Sequence, residues 1–196
     1  MGSREEILGR LRAVAPPDPG RPVIPPGEPR PGDLATGFAE AVQAAGGALV
    51  AVPGEAALAA AVAALAEKLG ARRIASRVPA AGPGTVRLED LADPHELEGI
   101  DLAVIAGRFG VAENGAVWVD GEGLHHRGVF VVTQHLALVL PARELVPDLH
   151  AAYGRIRFDG PGFGLFIAGP SKTADIEQAL VIGAHGARSC TIFLVG

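Results

Sequence analysis

The chain of 196 residues is 48% apolar and 20% charged, enough for one sizeable core and typical of a soluble globular protein. Its net charge is −5, and its 17 basic residues are scattered, so no Lys/Arg stripe follows a phosphate backbone and no nucleic-acid partner is expected. No run approaches the ~18 apolar residues of a spanning helix, and the opening residues lack the apolar run of a signal peptide, so a cytoplasmic protein without membrane insertion is expected.

Ile7, Leu8, Leu11 and Val14 recur at i, i+1, i+4 and i+7, which predicts a short helix with one apolar face over residues 4–14. Half of the 16 prolines then fall between Pro16 and Pro31. Each fixes φ and removes an amide donor, so residues 15–32 read as an extended arm, separate from an α/β unit over residues 33–196. Asp33 is placed to cap a helix running to about Ala45, and Ala48 to Val52 reads as a strand. A second helix, Glu55 to Leu69, stops at Gly70 before the strand Arg72 to Ser76. Leu102 to Ala106 is the next core strand. Gly115 to Asp120 and Val129 to Val132 have the closer spacing of an antiparallel excursion, and Leu136 to Leu140 returns to the core. A helix from Pro141 to about Tyr153, a strand Gly164 to Ala168, a helix Thr173 to Ile182 and a strand Cys190 to Val195 complete the reading. This alternation predicts a three-layer α/β domain with a largely parallel sheet covered on both faces.

The strongest local signal for chemistry is the run from Ile167 to Gln178, where a buried strand breaks at Gly169-Pro170. A helix start near Thr173 would offer unpaired amides to an anion, with Ser171 and Thr173 adding hydroxyls and Lys172 a charge. Asp175 and Glu177 in the first turn would satisfy the same dipole themselves, and the alternative is a helix with favourable charges and no ligand. A second signal is Gly110-Val-Ala-Glu-Asn-Gly115, where Glu113 suits acid/base work and Asn114 suits ligand orientation. The competing reading is an Asn-Gly turn. The third is His185-Gly186, either a helix stop or a pocket wall. His125, His126 and His135 are not expected to converge on a metal, because strand neighbours point to opposite faces. Cys190 sits in an apolar run and reads as an inert core thiol. One cysteine closes no internal disulfide, and an iron–sulfur cluster normally takes four thiolates, so no metal or other cofactor is expected in this chain. Gly82-Pro-Gly84 and Gly160-Pro-Gly162-Phe-Gly164 lack the strand-then-helix setting of a dinucleotide fingerprint.

Gly110–Gly115, His135–Pro141, the run Gly169-Pro-Ser-Lys-Thr-Ala-Asp-Ile-Glu177 and Gly183-Ala-His-Gly186 resemble, in that order, the LUD domain of the lactate utilization protein C family. The resemblance spans roughly residues 33–196 and implies a fold of the NagB/RpiA/CoA transferase class. It also implies membership of a three-component system oxidising L-lactate to pyruvate, with the iron–sulfur chemistry on partner subunits. The expected role is thus a non-redox subunit binding a small anion. The alternative is a stand-alone isomerase or acyl-transfer enzyme acting on a small phosphorylated or carboxylated substrate. On either reading, Glu113 and His185 are the candidate catalytic residues, and Asn114, Gly169, Ser171, Lys172, Thr173, Asp175 and Gly186 the candidate ligand contacts.

Overall fold

The computed structural model describes residues 3–14, 16, 20, 32–157, 162–174 and 180–196. Most of the proline-rich arm lies outside them. In chain order the elements are α1 (Ser3–Val14), α2 (Leu34–Ala44), β1 (Ala48–Val52), α3 (Glu55–Leu69), β2 (Ile74–Ser76), β3 (Leu102–Ala106), β4 (Phe109–Val111) and β5 (Ala116–Asp120). They continue with α4 (Val129–Val132), β6 (His135–Pro141), β7 (Leu145–Val146), α5 (Leu149–Arg155), β8 (Gly164–Ile167), β9 (Lys172–Ala174), β10 (Leu180–Ile182) and β11 (Ser189–Val195).

Among the described residues, five strands in the order β1-β11-β6-β3-β2 form a sheet in which every pairing is parallel. The three central strands β11, β6 and β3 are buried on both faces, which is why they read as continuous apolar runs, whereas the edge strand β1 leaves Ala48, Val50 and Ala51 exposed. Leu102, Val104, Ala137, Val139 and Phe193 face Leu58, Val62 and Ala66 of α3. The alternate residues Ala103, Ile105, Leu136, Leu138 and Ile192 face Phe38 and Val42 of α2. On that second side lies a further sheet of four strands, in the order β7-β4-β5-β8, antiparallel except for the β4–β7 pair. Its inner residues Val117, Val119, Leu145, Leu165 and Ile167 close the core from outside. The expected mixed α/β architecture with a parallel central sheet is therefore present.

Local signals account for the helices that were read correctly. Asp33 caps α2, its carboxylate accepting the Thr36 amide at 3.0 Å. Gly70 ends α3 at φ +64°, a left-handed conformation that a side chain would strain, and Ala71 N–H closes the cap on Ala66 at 2.9 Å. Helix α1 exists, but Ile7, Leu11 and Val14 are 55%, 59% and 76% exposed, so its apolar face is uncovered among the described residues.

Three expectations are corrected. Residues 129–132 form one helical turn, α4, instead of a strand. The turn buries the adjacent side chains of Val129 and Phe130 together, which a strand's alternation would separate, and Thr133 Oγ donates back to the Val129 carbonyl at 3.1 Å. The helix expected from Pro141 is interrupted: Leu145 and Val146 pair with Gly110 and Val111, and only after Pro147 does Asp148 cap α5 through Ala151 N–H at 2.8 Å. The helix expected over Thr173–Ile182 is replaced at both its ends by strands, with Thr173 opposite Val181 and Lys172 opposite Ile182 in an antiparallel pair. β-Branched Thr173, Val181 and Ile182 suit that pairing.

The start of β3 is tied to the start of β2 through Asp101, whose carboxylate accepts the amides of Arg73 and Arg72, each at 2.8 Å. These two bonds hold its pKa below the ordinary carboxylate value of 3.8. A depressed carboxyl stabilises the fold above its unfolded pKa, and that stability is lost as pH falls through the depressed folded value. Wild-type protein should therefore lose stability steeply as pH drops below about 4, and Asp101→Asn should lose less over the same range. Urea melts of both proteins at neutral pH and across the acid range measure this. Parallel profiles would show that Asp101 does not titrate through these bonds.

Candidate functional site

The run Gly169–Thr173 follows β8 of the outer sheet, not a strand of the parallel sheet. A Cβ built on Gly169, which has φ +73°, would lie 2.3 Å from the Ala45 carbonyl oxygen, so this backbone is pressed against the end of α2. Ser171 N–H donates to the Ala187 carbonyl at 2.9 Å, and Gly183 N–H donates to the Ser171 carbonyl at 2.9 Å. Ala45 precedes β1 and Ala187 precedes β11, so the run sits at the amino edge of the parallel sheet. The carboxyl ends of the parallel strands, where ligands of open α/β sheets collect, lie at the opposite edge. Thr173 lies in β9, so among the described residues no helix starts there to offer converging amides, and the Ser171 amide is already used. Lys172 is exposed, with Nζ 3.2 Å from where a Gly46 Cβ would stand, beside the carbonyl end of α2, where the helix dipole favours a cation. Thr173 is half-buried, and Asp175 lies outside the described residues.

Gly186 and His185 do approach this run. A Cβ on Gly186 would come within 3.0 Å of the Ser171 Cβ, and His185 is exposed beside it. No helix precedes His185; residues 183–186 form bends after β10, so helix capping does not account for it. Glu113 and Asn114 occupy the β4–β5 hairpin. Gly115, at φ +70°, lets this hairpin close onto the backbone of Ala41 and Val42 in α2. Asn114 Oδ1 accepts the Ala116 amide at 3.0 Å, the turn geometry its Asn-Gly dipeptide favours. Glu113 is half-buried, and its Oε2 accepts the Leu149 amide at 3.1 Å, at the first turn of α5. The structure thus brings together Gly169, Ser171 and Gly186, and holds Glu113 and Asn114 by backbone amides of their own.

Histidines distribute as follows. His125 and His126 rings touch edge to face at 4.3 Å, and His126 Nε2 lies 2.9 Å from the Leu91 carbonyl oxygen. His135 stands apart at the start of β6, where Nδ1 and Ser189 Oγ on β11 share a hydrogen bond of 2.8 Å. Burial first, then Arg188, holds the His135 pKa below its ordinary value against the opposite pull of Asp101. Asp101 spends its carboxylate on the amides of Arg72 and Arg73, so these three side chains make no catalytic triad. Among the described residues no group of three or more His, Cys, Asp and Glu side chains is placed to hold a metal ion. Nor is any helix among them long and apolar enough to cross a membrane.

A feature not anticipated from the sequence lies on the outer face of the second sheet. Helix α5 covers one half of that face, packing Ala152 against Val111, Ala116 and Val146. The other half stays open as a groove of about 640 Å³, with Phe109 and Trp118 on its floor and Arg108, Arg155, Arg157 and Phe163 around it. Phe109 and Trp118 are cross-strand partners with rings inclined by only 13°. Arg108 forks onto Asp120 and also reaches Glu122, and Arg155 pairs with Glu144. Period-two alternation could have placed Trp118 and Asp120 on one face; the arginines come from separate segments and carried no local signal.

The LUD domain family profile matches residues 48–195. Lactate utilization protein C 1 of Bacillus mycoides is 33% identical over 92 residues, which is 44% of this chain and 39% of that protein. Lactate utilization protein C of Oceanobacillus iheyensis is 28% identical over 104 residues, which is 50% of this chain and 45% of that protein. The matched stretch spans less than half the length of these curated relatives. A crystal structure of a DUF162 family protein from Deinococcus radiodurans superposes with a TM-score of 0.62 at 18% identity, covering 83% of this chain and 96% of that one. That likeness is one of fold. With the profile running from the first strand of the parallel sheet to the last, the chain belongs to the LUD domain family.

Proposed function

We propose that this chain acts in the cytoplasm as a non-redox subunit of an L-lactate utilization system, in which L-lactate is oxidised to pyruvate on iron–sulfur partner subunits. The observation that carries this reading is the similarity to lactate utilization proteins C within the LUD domain. The chemistry of the one cysteine supports the division of labour. Cys190 is 2% exposed and burial pushes its thiol pKa up to about 12, whereas a cluster ligand has to be a thiolate within reach of iron. In this reading the small anion is held by side chains, not by helix amides: the Lys172 ammonium and the Ser171 and Thr173 hydroxyls, on the Gly169 and Gly186 backbone, with His185 beside them. Glu113 and Asn114 shape the adjoining hairpin. The alternative of a stand-alone isomerase or acyl-transfer enzyme needs Glu113 as an acid/base, and its bond to the Leu149 amide gives it a structural task instead.

Deleting the gene should abolish growth on L-lactate while leaving growth on glucose intact, and the wild-type gene should restore it. A gene carrying Lys172→Glu with Thr173→Ala should restore it poorly although the protein accumulates. Undiminished growth of the deletion strain on L-lactate would refute the role, and full rescue by the double variant would refute the anion site.

A further inference from the structure

We infer that β1 pairs with β1 of a second copy of this chain, antiparallel about a two-fold axis at Val50, so that two five-stranded sheets join as one. The lactate reading is not needed for it. The two edges of the parallel sheet are finished differently. At the β2 edge the following segment folds back as a cover: the Ile74 carbonyl accepts the amides of Thr85 and Val86 at 2.7 and 2.9 Å, and Ile74 N–H donates to Thr85 Oγ at 2.8 Å. At the β1 edge no further strand pairs among the described residues. That edge is the apolar run Ala48-Leu-Val-Ala-Val52, with Ala48, Val50 and Ala51 exposed. It contains none of the charges or prolines that keep an open edge from pairing with another strand.

The backbone of this edge is complementary to itself. Polar groups of a strand alternate between its two sides, and the Val52 carbonyl accepts the Gly196 amide at 2.9 Å on the β11 side. Ala48, Val50 and Val52 therefore direct their N–H and C=O groups to β11, and Leu49 and Ala51 direct theirs outward. In an antiparallel pair centred on Val50, Leu49 of each copy meets Ala51 of the other, and the two exchange both hydrogen bonds. The ladder ends at the same place on both strands. Gly47 there faces Pro53; the Gly47 amide already donates to the Val42 carbonyl at 2.9 Å, and proline has none. Side chains match too, Val50 against Val50 and Ala48 against Val52. The same register sets Gly46 opposite Gly54. Lys172 lies over Gly46, its Nζ 3.2 Å from where a Cβ would stand, and exposed Glu55 follows Gly54 at the start of α3. Each end of the seam brings a cation of one copy to a carboxylate of the other, and the two-fold axis makes both pairs at once.

Sedimentation velocity on the full chain should show a species of twice the monomer mass forming between about 1 and 100 μM. Hydrogen exchange over residues 48–52 should slow across that range, because the outward amides of Leu49 and Ala51 gain acceptors only in the dimer. Val50→Lys sets two like charges against each other on the axis and should weaken the dimer by at least about tenfold. Val50 is 36% exposed, so the variant monomer should keep the circular dichroism of wild type. Glu55→Lys should weaken the dimer by about fivefold, and Glu55→Lys combined with Lys172→Glu should restore it. A chain that stays monomeric at about 100 μM overturns the proposal and gives the edge to a strand of another protein instead. Dimerisation undiminished by Val50→Lys overturns the location, and a charge exchange that restores nothing overturns the antiparallel register.

Discussion

Gly115→Val is expected to destabilise the protein by about 3 to 5 kcal/mol, among the largest effects of any single substitution. Two costs add. At φ +70° a side chain is in the left-handed region, costing about 1 to 2 kcal/mol even in open space. Space is also lacking: a Cβ would lie 2.6 Å from the Val42 amide nitrogen and 2.7 Å from the Ala41 carbonyl carbon. These are backbone atoms inside a helix, so relief requires moving α2 off the hairpin. A loss of this size lowers the melting temperature by roughly 10 °C for a chain of this length. Gly154→Ala is the matched control, since that glycine lies within α5 and a Cβ there meets nothing within 4 Å. Alanine has the better helix propensity, so the control should be neutral or slightly stabilising. Calorimetric melts of the three proteins decide it; a loss under about 1 kcal/mol for Gly115→Val would mean that the hairpin moves freely against α2.

Phe38→Ala should cost about 3 to 5 kcal/mol for a different reason, an unfilled cavity. Phe38 is fully buried on the inner face of α2. Its ring reaches Gly110 in β4, where an added Cβ would meet it at 3.0 Å, with Leu140 and Leu145 closer still. One side chain thus joins α2, the parallel sheet and the outer sheet, and none of the three can move in alone to fill the space. Phe38→Leu keeps most of the volume and should cost less than half as much. Urea melts measure both. Equal losses would show that ring shape, not filled volume, is what the site requires.

How much was legible follows from the range of the interactions involved. The strands Ala48–Val52 and Leu102–Ala106 and the helix Glu55–Leu69 match their expected bounds because their signals are local: continuous apolar runs, and a helix ending at glycine. Leu102–Ala106 is a central parallel strand buried on both faces, so its composition alone identifies it; Ala48–Val52 is an edge strand with the same apolar composition, although Ala48, Val50 and Ala51 are exposed. The hairpin at Asn114-Gly115 was legible as a turn for the same reason. Thr173–Ile182 was not, although Asp175, Glu177 and the apolar stripe of Ile176, Ala179 and Leu180 have the spacing of a helix. There the pairing of Lys172–Ala174 with Leu180–Ile182, and the bond from Ser171 N–H to the Ala187 carbonyl, outweigh a local preference worth only tenths of a kcal/mol per residue.

The sequence by itself determined the α/β class, the parallel core, the lone buried thiol and the family resemblance. Only the tertiary structure decided which edge of the sheet each motif occupies. Gly169–Thr173 lies at the amino edge because the strand before it, β8, belongs to the outer sheet and runs antiparallel to β5. The groove joins Arg108, Trp118, Arg155 and Phe163 from four separate segments, and their encounter depends on how β4, β5, α5 and the approach to β8 pack together. Hydrophobic patterning states that a face is buried; it does not state against what, and the position of a site depends on that second choice.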